Sequence, residues 1–199
     1  GDDWPAFRHD AQRSGSSAGA ISAKLESSWK TDVGSTLTAV TIAGGKVFVA
    51  DKDRHLIRAL DAVTGKPAWE FSTGGRIDSP PTYHQGTVLF GSADGWVYCL
   101  RMSDGALMWR FRAAPRDRLV AAHGGLESAW PVHGSVLVRD GKAYATAGRS
   151  SFLDGGFMAY CLEAATGKVL DDRLMGLDPA LLVPETVAKV DARTDLVRQ

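Results

Sequence analysis

The sequence predicts an all-β fold, a β-propeller of four-stranded blades, and three observations predict it. Trp29, Trp69 and Trp109 stand two successive steps of 40 residues apart. Gly65 and Gly105 repeat that step. Between these markers the chain breaks into short runs rich in β-branched and aromatic residues, four to a unit, bounded by Gly, Asp and Lys turns. Four strands in about forty residues is the period of a propeller blade.

The elements follow in order. Residues 1–34 read as a lead-in that ends in "LESSWKTDV" (Leu25–Val33), an orphan outer strand carrying Trp29, which would complete a closing blade. Residues 35–75 form the first blade, with strands expected at Thr38–Ala43, Lys46–Asp51, His55–Asp61 and Pro67–Phe71. Its last turn, "LDAVTGKPAWEF" (Leu60–Phe71), has a physical logic. Asp61 can accept backbone N–H bonds within the turn, and Gly65 supplies the positive φ that reverses the chain. Four residues later Trp69 lies on the outer strand, where its ring can cover the next blade and bury on the order of 200 Å².

Residues 76–112 repeat the pattern at Ser79–His84, Thr87–Ser92, Trp96–Arg101 and Leu107–Phe111, with Gly105 and Trp109 in the equivalent places. Residues 113–175 form a third blade, with strands at Trp130–Val138, Lys142–Gly148 and Phe157–Glu163 and a weak last strand. Gly167 follows Gly105 by 62 residues, so this unit carries about 22 extra, placed at about 113–135. Asp171 stands where the repeat expects a tryptophan. Residues 176–199 change character and read as a tail or an amphipathic helix along Val187, Val190 and Val197.

Lys plus Arg equals Asp plus Glu at 23 each, which leaves no global field to draw in nucleic acid. No apolar run approaches the roughly eighteen residues of a membrane-spanning helix, and the opening "GDDWPAF" lacks the basic start and apolar core of a signal peptide. Cys99 and Cys161 each follow a tyrosine at equivalent positions of successive blades. Such positions should lie beyond the roughly 7 Å Cα limit of a disulfide, so buried free thiols are expected. "DKDRH" (Asp51–His55) has neither the glycine nor the distal acid of a calcium loop and reads as a solvated turn. Trp96 is expected to pack within its blade. No nucleophile elbow, P-loop, dinucleotide fingerprint or zinc-protease motif is present.

At "ALDAVTGKPAWEF" the chain resembles the PQQ-like β-propeller repeat family, whose tryptophan-docking motif occurs in quinoprotein dehydrogenases and in non-enzymatic outer-membrane assembly lipoproteins. "DWPAFRHDAQRSG" resembles the segment before the first blade in such proteins, and "LESAWPVHGSVLVRDGKAYATAGRSS" is similar to planctomycete-type members. The resemblance implies a ring of about seven or eight blades. The remaining blades would come from a C-terminal segment or another chain. It also implies an extracytoplasmic location, periplasmic or secreted. In quinoprotein dehydrogenases PQQ lies under a disulfide of adjacent cysteines with a calcium ion held partly by asparagine. This chain has neither an adjacent cysteine pair nor any asparagine, so no cofactor and no metal are expected of it.

Candidate ligand-binding residues concentrate at one strand entrance and in the insertion. Arg76 and Asp78 precede the first strand of the second blade and should lie near the axis. Arg118, His123, Glu127, Trp130 and His133 fall in or beside the insertion, with Arg112, Arg116 and Asp117 close by. Arginine can fork onto a carboxylate or vicinal hydroxyls, Trp130 can stack on a sugar ring, and a histidine with Glu127 can exchange protons, a set suited to a sugar or an acidic saccharide. The bland alternative pairs Glu127 with Arg118 and leaves Trp130 in the core. Arg149 and Asp154 can point to one face of a plain hairpin loop. The functional expectation is a non-catalytic module for binding or scaffolding. Two alternatives stay open: a carbohydrate-binding or carbohydrate-active protein with its site at the channel mouth, and a PQQ-dependent oxidoreductase.

Overall fold

The computed structural model describes residues 3–20 and 23–175, so the helix or tail expected at 176–199 lies outside the described residues. The first blade comprises β1 (Thr41–Ala43), β2 (Lys46–Asp51), β3 (Leu56–Asp61) and β4 (Pro67–Ser72). The second comprises β5 (Thr82–His84), β6 (Thr87–Gly91), β7 (Trp96–Arg101) and β8 (Leu107–Arg112). Between the second and third blades stand β9 (Leu119–Ala122) and β10 (Gly125–Ser128), a hairpin of its own, and the third blade is β11 (Leu137–Arg139), β12 (Lys142–Ala147), β13 (Phe157–Glu163) and β14 (Val169–Met175). Each blade is an antiparallel meander in chain order. Neighbouring blades bury two apolar layers, one around Phe48, Ile57, Phe90 and Leu100, the other around Leu89, Val97, Val132 and Leu162.

The docking read from the repeat is present three times. Trp29 Nε1 donates to the Ala62 carbonyl at 3.0 Å, Trp69 to Met102 at 2.8 Å and Trp109 to Ala164 at 3.1 Å. Each ring covers the turn glycine of the following blade: Trp29 on Gly65, Trp69 on Gly105, Trp109 on Gly167. Those glycines have φ of 69°, 74° and 73°. Asp61 Oδ1 accepts the Val63 and Thr64 amides, as the turn chemistry requires. Every blade also carries a register shift at the same place, between Ala59 and Leu60, Cys99 and Leu100, and Cys161 and Leu162. A bulge there sharpens the twist of the outer strand next to the docking position.

Three details depart from the sequence reading. Leu25–Val33 pairs with no strand, although Trp29 docks as an outer-strand tryptophan does. The strand expected over Trp130–Val138 is confined to Leu137–Arg139, because Ala129, Trp130 and Val132 are spent on the inter-blade core instead of on a ladder. Asp51 is not solvated: it is 2% exposed, facing Arg54 and Arg58. Cys99 and Cys161 are free thiols, Cys99 buried and Cys161 half-buried, and Trp96 packs in its blade under the Arg110 guanidinium, 4.5 Å from the ring centroid.

The lead-in runs along the innermost strands. Trp4 exchanges two backbone hydrogen bonds with Ile42 of β1, Pro5 accepts from Tyr83 of β5, and Arg13 reaches Ser135 just before β11. A meander of four strands places the turns after its second strand at the same end as the crossing into the next blade. That crossing face therefore gathers 52–55, 73–81, 92–95, the β9–β10 insertion and 148–156.

Candidate functional site

Backbone hydrogen bonds hold the crossing face together before any side chain acts. Ala93 N donates to Arg76 O at 2.7 Å, Ser128 N to Ala93 O at 2.9 Å, and Gly148 N to Pro131 O at 2.9 Å. The loop into the second blade, the β6–β7 turn, the insertion and the third blade are thus bonded in series. Side chains extend the series: Ser79 donates to the His133 carbonyl, and Thr82 to that of Val136 at 2.5 Å.

On this frame Arg76 joins two carboxylates. Its Nε and Nη2 form a fork on Asp78, each at 3.1 Å, and its Nη1 donates to Glu127. Asp78 Oδ2 also holds His133 Nδ1 at 2.6 Å, and Glu127 Oε1 lies 3.4 Å from His123 Nδ1. The order is His133, Asp78, Arg76, Glu127, His123. Five of the seven ligand candidates named from the sequence therefore form one contiguous network, joined by contacts that span 51 and 55 positions. Glu127 is 5% exposed and its Oε2 has no partner. The His133 hydrogen bond, followed by the Arg76 fork, holds the Asp78 carboxyl well below the usual range, and the same fork raises the Arg76 guanidinium above its own.

The other two candidates go elsewhere. Trp130 is 6% exposed within the core between the second and third blades, so it cannot stack on a ligand. Arg118 pairs with Asp154 at 2.9 Å, not with Glu127, while Arg149 holds the other oxygen of Asp154 at 2.5 Å. The insertion is thereby tied on one side to the second blade through Glu127 and on the other to the third through Arg118. Sequence reasoning missed this second anchor and the exposed apolar pair Phe152 and Leu153 beside it. The signal was present: "FLDGG" places two apolar residues directly before an Asp-Gly-Gly turn, where Asp154, Gly155 and Gly156 all have positive φ. Among the described residues no group of three or more His, Cys, Asp or Glu side chains is arranged to hold a metal ion.

Comparison with known proteins agrees with this architecture. Over 70 residues the chain is 34% identical to the outer membrane protein assembly factor BamB of Moranella endobia, covering 35% of this chain and 18% of that protein. Over 160 residues it is 27% identical to the dehydrogenase subunit of the quinone alcohol dehydrogenase of Gluconacetobacter polyoxogenes, covering 73% of this chain and 21% of that protein. The solved quinohemoprotein alcohol dehydrogenase of Comamonas testosteroni superposes with a TM-score of 0.68 at 17% identity, over 96% of this chain and 30% of that one, a likeness of fold. The chain spans about a fifth of the length of these curated relatives. No helix among the described residues is long and apolar enough to cross a membrane. A family model described as outer membrane protein assembly factor BamB matches residues 20–174, and by that match, its docked tryptophans and its blades, the chain belongs to this PQQ-like propeller-repeat family.

Proposed function

We propose that the chain forms part of a non-catalytic propeller module for binding or scaffolding in an extracytoplasmic compartment, with its recognition surface on the crossing face. The observation that carries this reading is how the polar groups there are spent. Asp78 and Glu127 are committed to Arg76 and to two imidazoles, which fixes the insertion on the blades. That arrangement stiffens a surface rather than presenting a reaction centre, since the one oxygen of the two carboxylates without a partner, Glu127 Oε2, is buried. The remaining blades of the ring come from other segments or another chain, a reading supported by the small share of each relative that the residues cover. The outer-membrane role in the relatives' name supports the compartment.

The quinone cofactor named for the dehydrogenase relatives was tested against the residues present, and they do not fit it. Cys99 and Cys161 lie on separate blades, the chain has no asparagine, and the crossing-face carboxylates Asp78 and Glu127 are held by Arg76. The test is to incubate purified full-length protein with PQQ and calcium and to follow the quinone absorbance and dye-linked alcohol oxidation. The expected result is neither bound chromophore nor turnover; turnover that depends on added PQQ overturns the reading.

A further inference from the structure

We infer that the third blade ends in a polar seam: the next blade of the ring, packing on its forward face, offers a hydrogen-bond donor to Asp171 and an acceptor to Arg173 in place of a docking turn. This rests on the reading above that further blades complete the ring. Residues directly opposite in an antiparallel ladder share a face, so the registers define each forward face as two cross-strand rows. In the first blade one row is Phe48, Ala59 and Trp69, and the other is Ala50, Ile57 and Phe71. In the second they are Leu89, Cys99 and Trp109, and Gly91, Val97 and Phe111. Both faces supply the apolar layers between blades. The same rows in the third blade read Tyr144, Cys161 and Asp171, and Thr146, Ala159 and Arg173. Two aromatic positions have become charged and two aliphatic or aromatic ones carry hydroxyls. The rear face of this blade, with Ala143, Ala145 and Leu162, stays apolar against the second blade, so the change belongs to one face and not to the blade.

The two charged residues reverse the chemistry of docking. A docked tryptophan donates its Nε1 proton to a carbonyl of the following turn, that of Ala62, Met102 or Ala164. Asp171 stands at the tryptophan position, and an ionised carboxylate has no proton to donate; against a turn carbonyl it sets acceptor on acceptor. Two positions on, Phe71 and Phe111 meet Tyr98 and Tyr160 of the following blade edge to face, with ring centroids 5.8 and 4.9 Å apart. Arg173 stands at that position and is paired with Asp171 at 3.3 Å. An apolar sheet laid over this pair strips its hydration and returns no hydrogen bond, which costs more than the contact gains. The blade that fits here therefore presents hydroxyl, amide or charged side chains, with water between the two sheets.

Cys99 and Cys161 make the seam measurable, because they hold equivalent places on the second and third forward faces. Full-length protein at pH 8, native by tryptophan fluorescence, is treated with methyl methanethiosulfonate, a small uncharged thiol reagent, and the two cysteine peptides are followed by mass. Cys161 is expected to react roughly a hundredfold faster than Cys99, which is sealed in an apolar layer and reacts only through opening of the blades. Labelling of Cys161 as slow as that of Cys99 overturns the inference, since it reveals a dry, apolar cover. The double variant Asp171→Trp, Arg173→Phe restores the rings of the first two blades and should leave the urea midpoint unchanged or lower it. A raised midpoint overturns the inference, since only a docking turn can use those rings. If the double variant does not fold, the parent protein still decides through its thiols. Small-angle scattering checks the underlying reading separately: a closed ring with a slow Cys161 removes the seam alone, and an open arc removes the ring reading and the seam together.

Discussion

Replacing Gly105 by alanine isolates what blade-to-blade docking contributes. Gly105 has φ of 74°, and an added Cβ would come within 2.7 Å of the Trp69 ring at both Cδ2 and Cε3. The left-handed backbone alone costs an alanine about 1–2 kcal/mol. The ring must also lift, which weakens the 2.8 Å bond from Trp69 Nε1 to Met102, about 1 kcal/mol, and uncovers part of the inter-blade layer, about 1–2 kcal/mol more. The expected loss is about 3–5 kcal/mol. Gly86→Ala is the matched control: its φ is 82°, yet nothing lies within 4 Å of the added Cβ, so only the backbone cost of about 1–2 kcal/mol applies. Urea unfolding followed by tryptophan fluorescence measures both. Equal midpoint shifts for the two variants would refute the view that the tryptophan ring, rather than the turn conformation, reserves position 105 for glycine.

Three further outcomes are expected. Arg76→Ala leaves Glu127 buried without its counter-charge and should cost about 3–5 kcal/mol, whereas Glu127→Ala leaves Arg76 on Asp78 and should cost less; cleavage of the 121–125 segment under limited proteolysis, faster in Arg76→Ala, reads the difference. Because the folded Asp78 carboxyl titrates below its unfolded value of about 3.9, its contribution is complete above that pH and is lost as pH falls through the lowered folded value; the acid limb of a stability–pH curve should flatten below about pH 4 in Asp78→Asn. The Cys99 thiol is pushed up to about 11 by burial, so a thiol-specific disulfide reagent at pH 8 should spare it in the folded protein and modify it once denaturant is added, as peptide mass mapping would show.

The blades were legible because their information is local and repeated. Asp61, Gly65 and Trp69 specify a turn and a docking ring within nine residues, and the same chemistry recurs at Gly105 and Trp109. The network from His133 to His123 was legible in part because topology forces the ends of inner strands toward one axis, whatever lies between them in sequence. The β9–β10 hairpin was not legible: "LVAA" and "GLES" are four-residue strands with little alternation, and their turn rests on His123 at φ 51° beside Gly124. Trp130 looked like a ligand platform by residue type, and its burial depends on Val132, Ala129 and the third blade closing over it, which no local pattern encodes. Arg118 was matched with Glu127 by residue type, whereas its partner is Asp154, 36 positions away, and only the fold brings that pair together.

The lead-in can settle only once the blades it touches are in place. Trp4 finds Ile42 only after the first blade exists, Pro5 needs Tyr83 of the second, and Arg13 waits for Ser135 at the third. These lead-in residues are therefore among the last to settle, and until they do the inner edges of β1 and β5 present unpaired backbone to any other extended segment. The segment 3–13 thus acts as a late stitch that closes those edges as the blades assemble. Substitutions that loosen this segment would hold the stitch open, and the cost would appear as aggregation during refolding rather than as a lower melting temperature of molecules already folded.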